Sequence, residues 1–365
     1  MVVSTHGAQF AWTSTGKRPA PRLLIGNLPP SAHFTGMHFT GMQFTGMHFT
    51  GMHFIWMHFT CMQHSRAQNR GHDDQQAAFV LGGAGALVLI GAGGVGLVEA
   101  GALPGRTKLD NLLGWDGGGG TVPSIEPGPM VSGSFRSAAR RTTVGYTIVR
   151  PPGRTGRMPV AVTLHGRDAN HSQSITGLHY DRYLAAAMAA GAPPFALVLV
   201  DGGNTVYWHK RANGDDPLTM ITHELLPLVA DQGLNTSRIG LTGWSMGGYG
   251  SLLMGQQLGP EKVRAVAAVS PAIFADYASS SAGSFDSEAD FRTNDPRNFP
   301  DKLKDIAVLI DCGTDDPFAG QAEQMRNLVR PTPAGGMSRG AHTDRYMTRV
   351  APEQMAFLGE QLHSG

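Results

Sequence analysis

Ser245 sits in Gly243-Trp244-Ser245-Met246-Gly247, a G-x-S-x-G pattern. A serine in that setting can attack an acyl carbon, provided a base removes its proton. The pattern alone arises by chance in a Gly-rich chain, so its context carries the weight. Residues 238–242 read as a short buried strand, and residues 248–257 read as the start of a helix. Strand, sharp turn and helix make a nucleophile elbow, with the hydroxyl exposed above a sheet. Glycine is needed on both sides, because a Cβ there would collide with the neighbouring strand or helix. The competing reading is a tight structural turn with an idle serine.

A serine nucleophile needs a histidine and an acid, which follow an elbow in the order Ser, acid, His. Residues 306–311 read as another buried strand, running into Cys312-Gly313-Thr314-Asp315-Asp316-Pro317-Phe318. Asp316 and Asp315 both lie just past its C-terminal end, whereas Asp311 still belongs to the strand. The member of the pair that does not act is expected to cap the next helix, residues 320–329. His342 lies in a Gly-rich loop before the last helix, expected over residues 352–362. His363, the one later histidine, is in the tail. The charge that develops on the substrate oxygen needs two backbone N–H donors. Met246 offers one. The other is expected from the loop after residues 159–164, which ends in His165-Gly166-Arg167-Asp168. The donor there is the amide of Arg167, or of Gly166 if the turn differs. His165 reads as a packed, hydrogen-bonded loop residue.

With these pieces in place, residues 132–362 resemble the esterase D and antigen 85 branch of the α/β-hydrolases. The resemblance rests on Leu164-His165-Gly166-Arg167, Asp201-Gly202-Gly203-Asn204, Tyr207-Trp208, His223-Glu224-Leu225-Leu226-Pro227 and Gly243-Trp244-Ser245-Met246-Gly247-Gly248. The segment from Asp311 to Phe318 and His342 complete it. The resemblance implies an α/β-hydrolase fold. It implies that the acid is the third residue after the loop glycine, hence Asp316, and that the hole is formed by the amides of Met246 and Arg167. It leaves the substrate open, because the branch includes thioesterases, feruloyl and other carboxylesterases, and mycolyl transferases.

The elements that must hold these residues can be read from periodicity. Residues 134–137 and 142–150 form an antiparallel pair, with Val144, Tyr146 and Ile148 on one face. Apolar strands at 160–164, 196–200, 239–242, 263–270 and 306–311 then alternate with helices near 180–190 and 218–231. Continuous apolar strands separated by helices imply a mostly parallel sheet covered on both faces. Residues 279–300 are polar without a clear period and read as a lid or pocket wall. Tyr207 and Trp208, with His209 and Arg211, line a substrate pocket or form a packing cluster.

A formal charge of +1 argues against a nucleic-acid partner. The two cysteines, Cys61 and Cys312, are not expected to pair, and no metal-ligand spacing occurs. No cofactor is implied. Residues 33–62 repeat a five-residue unit, His-Phe-Thr-Gly-Met, with variants. Each unit turns a helix by about 140° beyond a full turn, so no apolar stripe forms. The histidines of the repeat (His38, His48, His53, His58) could offer a metal imidazoles. The simpler reading is translated repeat DNA upstream of a start at Met62. Residues 77–98 are uncharged and long enough to span about 30 Å as a helix. Ala100-Gly101-Ala102 after them fits a signal-peptidase site. The expected organisation is therefore a repeat segment (1–75), a signal peptide or membrane anchor (76–102), a Gly/Pro linker (103–131) and a catalytic domain (132–365). The protein is expected to be exported to the envelope or medium.

The leading expectation is a serine carboxylesterase working through an acyl-enzyme on a small-molecule ester, including lipid-like ones. A mycolyl-type acyltransferase, with a sugar hydroxyl replacing water, would use the same residues. A non-enzymatic surface protein on the same scaffold would show a broken triad, and every position here is filled.

Overall fold

Alternating apolar residues divide the central strands between two cores. In β3 (Pro159–Leu164), Val160, Val162 and Leu164 face one cluster, and Ala161 faces the other. In β4 (Ala196–Val200), Val198 and Val200 face the first, and Leu197 and Leu199 the second. Both faces are dry because helices cover both, the condition that a mostly parallel sheet requires. This computed structural model describes residues 117–364 in full. Before them it describes the backbone of three short antiparallel pairs: Val3–Thr5 with Ala8–Phe10, Met42–Gln43 with Thr60–Cys61, and Ala78–Gly82 with Ala86–Ile90. The first two pairs fall in the unit Met1–Gln75, and the rest of the chain in the unit Gln76–Gly365.

The remaining strands are β1 (Met130–Ser137), β2 (Thr142–Val149), β5 (Asn235–Trp244), β6 (Val263–Val269), β7 (Ala307–Gly313) and β8 (Met337–Ser338). They form one sheet of eight strands in the order β8-β7-β6-β5-β3-β4-β2-β1. The β1–β2 and β2–β4 ladders are antiparallel, and the others are parallel. Helices α1 (Tyr180–Ala189), α2 (Leu226–Asp231), α3 (Met246–Leu258), α4 (Glu288–Asn294), α5 (Ala319–Leu328) and α6 (Asp344–His363) complete the domain. A π-helical stretch, Met220–Leu225, leads into α2. The sheet and its helices are an α/β-hydrolase fold.

Two expectations change here. Helix α6 starts eight residues before its expected first residue, because Thr343 caps it and Pro352 lies inside it. Proline has no N–H, so the Thr348 carbonyl lacks its helical partner. The linker is not loose throughout: residues 117–129 lie against α6 and α1 through bonds described below. Residues 78–82 and 86–90 pair as two antiparallel strands. Among the described residues no helix is long and apolar enough to cross a membrane. The rest of residues 76–102, and nearly all of the five-residue repeat, lie outside the described residues.

Candidate active site

The elbow follows from close packing between β5, α3 and β3. Ser245 separates β5 from α3 with φ 55° and ψ −121°, a backbone region that L-residues rarely adopt. Its N–H is fixed by the Val269 carbonyl at 3.0 Å. A Cβ on Gly247 would come within 1.9 Å of the Leu164 carbonyl oxygen, and one on Gly243 within 2.4 Å of the same atom. These glycines let the turn sit flush on β3. The serine then stands above the strand ends at the start of α3, where the Met246 N–H has no partner four residues back.

His342 Nε2 lies 2.9 Å from Ser245 Oγ, and its Nδ1 lies 2.7 Å from Asp316 Oδ2. With Nδ1 donating to the carboxylate, Nε2 is left to accept the serine proton. The Asp316 side chain is fully buried, whereas that of His342 is 25% exposed. Asp316 Oδ1 also accepts the Phe318 N–H at 2.9 Å, and the Phe318 ring packs on the imidazole with centroids 5.3 Å apart. So Asp316 both meets His342 and closes the turn leading into α5. The side-chain cap expected from the other aspartate is not formed: the N-cap of α5 is Phe318, and Asp315 gives its backbone N–H to the Gly340 carbonyl at 2.8 Å. Asp311 stays in β7, accepts the Gly336 N–H at 2.8 Å, and is pushed up to about 6 by burial and the Glu353 charge.

A cavity of about 220 Å³ opens beside the serine. Gly166, Arg167, Asp168, Trp244, Ser245 and His342 share its wall with Leu178 and Met347. Arg167 and Ser245 are thus brought to one cavity, with Met246 next to the nucleophile. His165 is buried as expected. Its Nδ1 donates to the Gly166 carbonyl at 2.7 Å, and its Nε2 accepts the Gly202 N–H at 2.9 Å. Burial holds its pKa below the ordinary imidazole value, so it stays neutral. Because the Gly166 carbonyl and the Arg167 N–H belong to one peptide plane, that bond also orients the Arg167 amide.

Two expectations about the walls resolve toward packing. Tyr207 and Trp208 are buried: Tyr207 sits among Tyr249, Phe274 and Phe285, and the Trp208 indole donates to the His165 carbonyl at 3.3 Å. Residues 279–300 do not line the cavity; Phe285 and Phe291 anchor them in that aromatic cluster. Sequence reasoning gave no role to Asp201, which accepts both the backbone N–H and Nδ1 of His171 at 2.8 Å and the Gly145 N–H at 3.1 Å. This pins the loop that carries Arg167 to β2 and β4. Thirty residues separate the two partners in sequence, and no local spacing links them.

A family model described as "Putative esterase" matches residues 137–341, more than half of the chain. The chain belongs to this esterase family. The match covers the elbow and Asp316 and ends one residue before His342. The esterase is an enzyme that hydrolyses esters. No curated protein matches it. Among solved structures it is similar to a ferulic acid esterase at 20% identity and a TM-score of 0.56, covering 64% of this chain and 99% of that one. An S-formylglutathione hydrolase from Agrobacterium tumefaciens gives 18% identity and a TM-score of 0.55, with 66% and 98% covered. A ferulic acid esterase from Anaeromyces mucronatus gives 18% and 0.55, with 67% and 95% covered. At these identities the likeness speaks for the fold.

Proposed function

We propose that this esterase is a serine carboxylesterase in which Ser245, His342 and Asp316 form the triad. His342 Nε2 takes the hydroxyl proton as Ser245 Oγ bonds to the ester carbonyl carbon. The N–H groups of Met246 and Arg167 bind the oxyanion. His342 then returns the proton to the leaving alkoxide, and an acyl-Ser245 ester remains. Water attacks it with His342 as base, which releases the acid and restores the serine. Asp316 holds the imidazole tautomer and stabilises the imidazolium.

The observation that carries this reading is the unbroken line from Ser245 Oγ through His342 to the buried Asp316 carboxylate, with bonds of 2.9 and 2.7 Å. The cavity, about 220 Å³, lies below the common range for drug-sized ligands, which supports an ester with a compact acyl group. Trp244 bounds it, held edge-on to Tyr180 and against Gly166. The uncharged residues 77–98 support export.

A p-nitrophenyl ester panel of increasing acyl length tests the substrate reading. Hydrolysis is expected to fall beyond short acyl groups, and Trp244→Ala to raise the long-to-short ratio of kcat/KM. A flat profile in the wild type would contradict it. Product analysis with a sugar acceptor present separates hydrolysis from acyl transfer. Fractionation of a native culture tests export: recovery wholly in the cytosol would contradict it.

A further inference from the structure

We infer that Arg349, held by the segment 117–121, is a positioning residue for His342. This rests on the reading of His342 as the catalytic base. His342 stands at the end of a loop rather than on the sheet, so something must fix that loop against the elbow. On one side the acid loop does this: the Thr314 N–H donates to the Ser338 carbonyl at 2.9 Å and the Asp315 N–H to the Gly340 carbonyl at 2.8 Å. On the other side stands Arg349 of α6. Its Nη2 donates to the Arg339 carbonyl and reaches Ser338 Oγ at 3.4 Å. Its guanidinium lies over the Tyr346 ring, 5.0 Å from the centroid, and that ring in turn abuts Gly340.

The other end of the same guanidinium belongs to the strap. Arg349 Nη1 donates to the Gly118 carbonyl at 3.0 Å. The strap is built to sit there. The Gly120 N–H donates to the Arg345 carbonyl at 3.3 Å. A Cβ on Gly120 would come within 2.3 Å of the Thr348 carbonyl oxygen, the one that Pro352 leaves without a helical donor. Further along, the Tyr183 hydroxyl donates to the Thr121 carbonyl at 3.2 Å, and Arg182 reaches the carbonyls of Pro123 and Ile125. So a Gly-rich stretch that reads as a linker docks on the helix whose first turn follows His342. One planar fork joins that stretch to the histidine loop. A guanidinium can hold several acceptors in fixed directions, which an ammonium on a flexible stem cannot.

The test uses the full chain with three variants: Arg349→Ala, Arg349→Lys and Gly120→Val. Ser245→Ala is the control. Arg349→Ala is expected to lower kcat on p-nitrophenyl acetate by about tenfold or more with KM within about twofold, since small misplacements of a catalytic group are costly. Phosphonylation of Ser245 by a fluorophosphonate should slow in parallel. Added guanidinium ion should restore part of the rate, and Arg349→Lys should recover only part. Gly120→Val, which lifts the strap and changes no residue of α6, should lower kcat in the same direction. If Arg349→Ala does not fold, Gly120→Val carries the test. Wild-type kcat in either folded variant, or a loss explained by lowered melting temperature alone with no rescue, would overturn the inference. A Ser245→Ala enzyme that kept its activity would instead overturn the triad.

Discussion

The elbow and the histidine loop each deliver one group of the proposed triad, but they are held by different physics. Ser245 is fixed by backbone packing. It stands between a buried strand and a buried helix, and the flanking glycines touch the Leu164 carbonyl. His342 is fixed by polar contacts: a carboxylate on Nδ1, two backbone bonds from the acid loop, and a guanidinium beyond. Packing of the first kind is all-or-none, because close-packed interiors do not deform gradually. Contacts of the second kind can be loosened one at a time. Changes at the elbow should therefore cost either chemistry or folding outright, and changes around the loop should give graded losses of turnover.

The largest expected effect is at the nucleophile. Ser245→Ala should lower esterase kcat by about 10⁴-fold or more while leaving the melting temperature near that of the wild type. A tenth of the rate surviving would break the account. On the histidine side, Asp316→Asn should cost about 10³- to 10⁴-fold, because the amide neither stabilises the imidazolium nor keeps the tautomer. Asp315→Asn should cost far less, since the backbone N–H by which Asp315 holds the Gly340 carbonyl survives the substitution. The reverse ranking in steady-state rates would reassign the acid.

Gly247→Ala sharpens the comparison on the folding side. Its Cβ meets backbone, so the variant should unfold at markedly lower denaturant, by several kcal/mol as for other severe overpacking. Gly320→Ala, in α5 with open space around it, should instead stabilise by about 0.5–1 kcal/mol. Equal effects in urea melts would contradict the packing argument.

An effect on stability alone, and only within a pH window, is expected at the base of the histidine loop. Asp311 accepts the Gly336 N–H just before β8, and burial first, then the Glu353 charge, raises its pKa to about 6. The folded state thus holds that proton more tightly than the unfolded chain. Its stabilising contribution is present below about pH 4, the unfolded value, and is lost as pH rises toward about 6. Asp311→Asn should flatten that fall, by at most about 3 kcal/mol, in unfolding curves taken across the window. An unchanged pH slope would show that another group sets it.

The same contrast explains what could be read from the sequence. The elbow was legible because it is local: glycines, serine, strand and helix lie within about one turn of each other. The strands Pro159–Leu164 and Ala196–Val200 are legible because their apolar residues alternate between two buried faces. The polar hold on His342 was not legible. Arg349 reaches back 231 residues to Gly118, and a lone arginine on a helix carries no signal of that. The sequence places the start of α6 too late because a proline commonly marks a first helical turn, whereas Pro352 sits in the interior. Strand β8 is two residues long, too short for any period to show. The aromatic pair Tyr207-Trp208 reads equally as a pocket wall or a packing cluster, because composition does not tell a wall from a core.

The most direct measurement is trapping by a fluorophosphonate, followed by peptide mapping and a rate assay on the same sample. The reagent needs a serine oxygen whose proton a neighbouring imidazole can take, which is the central claim about Ser245, His342 and Asp316. One phosphonate per chain on Ser245, complete loss of ester hydrolysis, and no labelling of a His342→Ala variant on the same timescale are expected. A label on another residue, or full hydrolysis from a chain whose Ser245 is fully modified, would contradict the account.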